Sequence, residues 1–127
     1  MKTLFIIFCF VLVCFNISGQ AANQVFANDT TKGSQTKYFI GAKESGNYQG
    51  IAGFVFTTAH DNATFYLDGC YTANNWQPID TLSVTGSTLV SRFMFQAPPK
   101  YKYYRLRVVG NGGDTCYIAN IRYILKY

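Results

Sequence analysis

The chain has 127 residues, with eleven Lys and Arg against six Asp and Glu, one histidine and four cysteines. That length leaves room for one ordinary domain. The positive excess is spread along the chain rather than gathered into a run, which speaks against nucleic acid as a partner. A single histidine and scattered carboxylates speak against triad or metal-assisted catalysis.

Lys2 precedes an unbroken apolar run of twelve residues, 4–15, and Ser18, Gly19, Gln20 and Ala21 follow it. A basic start, a short apolar stretch and a small-x-small pattern predict a cleavable secretory signal over residues 1–21. The run is short of the roughly 20 residues that a helix needs to cross a bilayer, so no stable membrane anchor is expected. An uncleaved anchor is one competing reading. Lipid attachment at Cys14 is the other, and it wants a small residue where Val13 stands. Loss of the signal removes Cys9 and Cys14 and leaves Cys70 and Cys116, which are expected to form a disulfide in a secreted or cell-surface domain.

Residues 22–37, rich in Asn, Asp, Thr, Lys, Gly, Ser and Gln, read as a polar N-terminal arm. From residue 38 to 127 period-2 alternation with aromatic and β-branched residues recurs, and no sustained helical periodicity competes with it. Strands are expected over 38–40, 51–58, 63–67, 81–85, 90–96, 101–109 and 116–125. Asp68-Gly69 is read as the end or bulge of one strand, and Pro78 as a limit on pairing. Pro98-Pro99 breaks the chain, and Gly110-Asn111-Gly112-Gly113 is the clearest turn. In the strongest strand Tyr104, Leu106 and Val108 share one face, with Tyr103, Arg105 and Arg107 on the other. In the last, Tyr117, Ala119, Ile121, Tyr123 and Leu125 are expected to share a face against Asn120 and Arg122. About seven to eight short strands predict an all-β domain, an antiparallel β-sandwich or jelly roll.

Four stretches carry a family likeness. They are Thr64-Phe65-Tyr66-Leu67-Asp68-Gly69, Asn75-Trp76-Gln77-Pro78-Ile79, Tyr103-Tyr104-Arg105-Leu106-Arg107-Val108 and Ile118-Ala119-Asn120-Ile121. Residues 63–124 resemble the later strands of discoidin, or coagulation factor 5/8 type C, domains, which are galactose-binding-like. The resemblance implies a jelly roll that presents loops to glycans, lipids or proteins. No binding residue of the family carries over, because residues 22–60 lack its opening pattern.

Two groups of residues are candidates for ligand contact. Tyr71, Asn74, Asn75 and Trp76 form an aromatic loop, in which Trp76 either plugs the core or offers a stacking platform. Tyr101, Tyr103, Arg105 and Arg107 interleave rings with cations along one strand, an arrangement able to stack on sugar rings or bases and neutralise phosphates, although the solvent face of a central strand is commonly built the same way. Asp61, Asp68 and Asp114 are candidates for a loop calcium ion, but none lies in a dense acidic loop, so no metal or other cofactor is expected. His60 reads as an exposed turn residue. No catalytic residue is assigned. The expectation is a non-catalytic extracellular binding module for a glycan or other surface ligand. The alternative is a structural subunit of a surface or virion assembly that self-associates through its arm.

Overall fold

A computed structural model describes residues 22–127 apart from 47, 60, 73, 87, 88, 113 and 114. Residues 1–21, where a signal is expected, and His60 and Asp114 lie outside the described residues. Among the described residues there are nine strands: β1 (Ala22–Val25), β2 (Asp29–Thr31), β3 (Thr36–Ile40), β4 (Ile51–Ala59), β5 (Asp61–Cys70), β6 (Gln77–Gly86), β7 (Val90–Gln96), β8 (Tyr103–Gly110) and β9 (Cys116–Lys126). No helix is present among the described residues.

The strands form two antiparallel sheets packed face to face. Sheet A has the order β1-β9-β4-β7, with β2 continuing β1 along β9, and sheet B has the order β3-β8-β5-β6. With β1 and β2 sharing one position, the chain changes sheet at almost every connection, and only β5 and β6 form a hairpin within one sheet. This is jelly-roll connectivity. The expected sandwich is therefore present, with β3 to β9 close to where alternation placed them; β6 is longer than expected, because Pro78 still pairs opposite Asp68 and Gln77 opposite Gly69.

Residues 22–31 are not an arm in this structure. Ala22 pairs with Leu125 and Asp29 with Ile118, so the polar segment is the edge of sheet A. Composition misled here because an edge strand with one solvated side is built largely from polar residues. Phe26, between the two short strands, meets Phe39 and Phe54 at ring separations of 5.7 and 6.2 Å.

The core lies between the sheets and is dominated by rings, Phe54, Phe56, Phe65, Tyr104 and Tyr123 among them. Phe56 and Phe65 stack across the sheets at 4.6 Å. β8 alternates without a fault, its Tyr104, Leu106 and Val108 fully buried as the sequence predicts.

β9 does not alternate without a fault. Val55 of β4 pairs with Arg122 and Thr57 with Ala119, so β9 carries one extra residue between these pairs, and Asn120 takes a φ of +52° to accommodate it. Asparagine is among the few side chains that tolerate this left-handed region. The bulge reverses the phase of the strand. Ile121, Tyr123 and Leu125 face the core as expected, but Cys116 and Ile118 join them there, whereas Tyr117 is exposed and Ala119 lies outside the core.

The expected disulfide is absent. Cys70 ends β5 opposite Tyr103, and Cys116 begins β9 opposite Thr31, beside the β4–β5 turn. Nine residues of β5 at ~3.3 Å each separate that turn from Cys70. The two cysteines thus sit at opposite ends of the sandwich, whereas a disulfide needs Cα atoms within about 7 Å. Both are buried. Evenness of cysteine count carried the expectation, and strand direction overrules it.

Candidate functional site

Three connections meet at one end of the sandwich: residues 41–50 between β3 and β4, 71–76 between β5 and β6, and 97–102 between β7 and β8. The first and third are tied to each other, and the third to the end of β5. Ser45 N–H donates to Lys102 O at 2.9 Å, Lys102 N–H donates to Cys70 O at 3.1 Å, and the Ser45 hydroxyl donates to Tyr101 O. The Tyr104 hydroxyl anchors the third connection from the core side. It donates to Gln96 Oε1 at 2.7 Å and accepts the Lys100 and Tyr101 N–H groups at 2.9 and 3.1 Å. One donor and two acceptors exhaust the capacity of a phenol, so the loop is fixed by a fully satisfied hub. Burial pushes the Tyr104 phenol above its ordinary pKa.

The tied loops enclose a groove of about 500 Å3 walled by Tyr48, Tyr71, Pro98, Pro99, Lys100 and Lys102, among others. Tyr71 is 65% exposed and stands against Tyr101 with ring centroids 5.2 Å apart. Tyr101 leans over Gly69, where a Cβ would come within 2.6 Å of its ring; glycine at this position lets the aromatic pair close onto β5. Tyr101 also meets Tyr104 edge to face at 6.2 Å, so the exposed ring at the groove rests on a stack rooted in the core.

A second constellation covers the outer face of sheet B. Asp68 points outward from β5 yet is only 1% exposed, because Arg105 and Arg107 of β8 close over it. Both guanidinium Nε atoms donate to Asp68 Oδ2 at 2.9 Å, and a terminal nitrogen of Arg107 reaches Oδ1 at 3.3 Å. Arg105 lies 4.5 Å from the centre of the Trp76 ring and 4.6 Å from that of Tyr38, and Arg107 lies 3.9 Å from that of Tyr66. The carboxylate and the stacked rings hold the Arg107 guanidinium above its ordinary pKa, with the Asp68 hydrogen bond the largest cause.

Lys102 and Tyr103 join the two regions. The Tyr103 hydroxyl donates to Glu44 Oε1 at 2.8 Å, Lys102 Nζ pairs with the same oxygen at 3.4 Å, and Lys102 lies 5.4 Å over the Tyr103 ring. The Tyr103 hydrogen bond, with Lys102 beside it, holds the Glu44 carboxyl below the usual range.

The candidates read from sequence therefore separate along different lines. Tyr71 and Tyr101 belong to the groove, whereas Trp76, Tyr103, Arg105 and Arg107 belong to the sheet face. Asn74 and Asn75 are exposed on the loop between them, and Asn75 Oδ1 accepts from Gln77 at 3.0 Å. Tyr101 precedes β8 and does not continue its outer row. Asp68 is engaged by two arginines rather than placed to ligate calcium. Tyr38, Tyr66 and the groove residues Lys100 and Lys102 escaped the sequence reading. For Tyr66 and Asp68 a signal existed, since 64, 66 and 68 alternate with buried 63, 65 and 67, but their partners on β8 follow only from register.

Among the described residues no group of three or more His, Cys, Asp or Glu is placed to hold a metal ion. No family model matches the chain, and no curated protein matches it. The geometry of these side chains is thus the ground for any functional reading.

Proposed function

We propose that this protein is a non-catalytic binding module that takes carbohydrate in the groove at the end of its sandwich. The observation that carries this reading is the exposed Tyr71 ring, held by Tyr101 beside a groove whose 97–102 connection is hydrogen-bonded both to Ser45 and to Cys70 at the end of β5. Loops fixed before the ligand arrives lose little freedom on binding, and a flat ring supported from behind suits the apolar face of a sugar. The discoidin-like resemblance of residues 63–124 implies loops that meet glycans, lipids or proteins, a range that includes this ligand class.

A glycan-array screen of the purified domain tests the reading, followed by Tyr71→Ala. Binding that falls at least tenfold in the variant, with an unchanged melting temperature, upholds it. Absence of any glycan ligand, or full binding by the variant, overturns it.

One observation favours assembly as a second reading. Phe93 and Phe95 of β7 stack at 5.7 Å on the outer face of sheet A, and Phe93 is 67% exposed. They border an apolar groove of about 180 Å3 over Gly53, lined also by Ile51, Val55 and Ile124. Because β1 and β2 are committed to β9 of their own chain, self-association on this reading uses the apolar face rather than the arm. Light scattering of the wild type beside Phe93→Ser distinguishes a monomer from an assembly held by this face.

A further inference from the structure

We infer that the carbohydrate is acidic and that it lies along a track running from the end groove onto the outer face of sheet B, an inference that rests on the carbohydrate-binding reading above. The track begins at Lys100 and Lys102 in the groove. It continues along the outward row of β8 through Tyr103, Arg105 and Arg107, each step of two residues advancing about 6.6 Å. Rings and cations interleave throughout: Lys102 over Tyr103, Arg105 between Trp76 and Tyr38, and Arg107 over Tyr66.

The charges do not cancel. Four cations, Lys100, Lys102, Arg105 and Arg107, face two carboxylates, Glu44 and Asp68. Glu44 is spent on Lys102 and Tyr103, and Asp68 is spent on orienting the two arginines. Arg105 meets Asp68 through Nε alone, which leaves its two terminal nitrogens outside that pair. Those terminal N–H groups have the planar geometry that suits a carboxylate or sulfate. A residual positive charge beside stacking rings therefore favours an anionic sugar over a neutral one. Polar groups in the groove, from Gln49 and the Tyr71 hydroxyl, suit sugar hydroxyls.

The single tryptophan, Trp76, touches the track and reports on it by intrinsic fluorescence. The full protein is titrated with tetragalacturonate and with its fully methyl-esterified form, in which each carboxylate becomes a neutral methyl ester. A heparin tetrasaccharide and an oligothymidylate of similar length are run beside them. The expected result is saturable binding of an acidic saccharide at 50 mM salt that weakens at least tenfold by 500 mM. The ester should bind at least tenfold more weakly than tetragalacturonate. Lys100→Gln combined with Lys102→Gln should weaken acidic binding at least tenfold at an unchanged melting temperature. Lys126→Gln, which removes the same kind of charge from sheet A, should leave it unaltered.

Equal binding of acid and ester leaves the carbohydrate reading standing and overturns this inference. Binding of oligothymidylate as tight as that of the saccharides identifies a general polyanion surface and also overturns it. If neither acidic saccharide binds, the inference falls, and the neutral sugars of the glycan array then decide the carbohydrate reading separately.

Discussion

The Tyr104 hydroxyl donates to Gln96 Oε1 at 2.7 Å from within the core, so the end of β7 and the start of β8 are clamped together beneath the groove. Lys100 N–H also reaches Gln96 Oε1, at 3.1 Å, which places both side chains on the same loop backbone. The shape of the groove is therefore set by residues that never face a ligand.

Tyr104→Phe tests this clamp. It keeps the ring and removes an acceptor of two part-buried backbone N–H groups, of which Lys100 N–H keeps Gln96 Oε1, a loss of about 1 kcal/mol. A fall in melting temperature and faster hydrogen exchange at Lys100 and Tyr101 are expected together. Unchanged exchange at these two amides would falsify the clamp.

Asp68→Asn isolates the charge that holds the arginine pair. Breaking a fully buried ion pair costs roughly 3–5 kcal/mol, but both guanidiniums here reach solvent, so about 2–3 kcal/mol is expected. Loss of the anchor should also release Arg105 from Trp76 and shift the emission of that tryptophan. Denaturant unfolding followed by fluorescence measures both effects, and an unaltered native spectrum counts against the stack.

Peptide mapping without reductant should yield no peptide linking Cys70 to Cys116. Burial pushes the Cys70 thiol up from its ordinary pKa, so iodoacetamide should label Cys70 only after denaturation. Recovery of the linked peptide, or rapid labelling of Cys70 in the folded protein, contradicts the strand arrangement.

Alkali should unfold the domain cooperatively. Burial raises the pKa of Cys70, Tyr104 and Tyr123 in the folded state above their unfolded values of about 8.5 for Cys and 10 for Tyr. The folded state then holds more protons than the unfolded one, so stability is full below about pH 8.5 and declines as pH rises towards the folded values. Absorbance at 295 nm should show Tyr104 and Tyr123 ionising only as near-ultraviolet dichroism collapses. A single smooth titration of all tyrosines with the fold intact rejects this.

Much of the architecture was legible because alternation is a local signal. The rows of β8 follow directly from 103–109, and Phe54 and Phe56 mark the buried side of β4. Three readings failed for reasons that no single strand contains. The phase of β9 changes at Asn120 because β4 offers it one residue fewer, the polar opening segment is an edge strand because β9 needs a neighbour, and Cys70 is far from Cys116 because β5 runs away from the turn. The site was legible in pieces. Trp76, Arg105 and Arg107 were singled out from composition and spacing, but their meeting depends on Asp68 and Tyr38, supplied by β5 and β3.

The bulge at Asn120 has a consequence for how this chain can change in length. From Val25 to Asp29 the opening segment takes the same number of steps as β9 does from Ile118 to Arg122, and it is fastened there by Phe26 N–H to Ile121 O and Asn120 N–H to Asn28 Oδ1. Deleting Asn120 would bring β9 into even step with β4 and throw β1 out of step with β9, turning the side chains of residues 23–25 to the wrong side of the sheet. Only a matching deletion among residues 26–28 restores both. Two segments more than ninety positions apart are thus coupled in length, and lineages that shorten one are expected to have shortened the other.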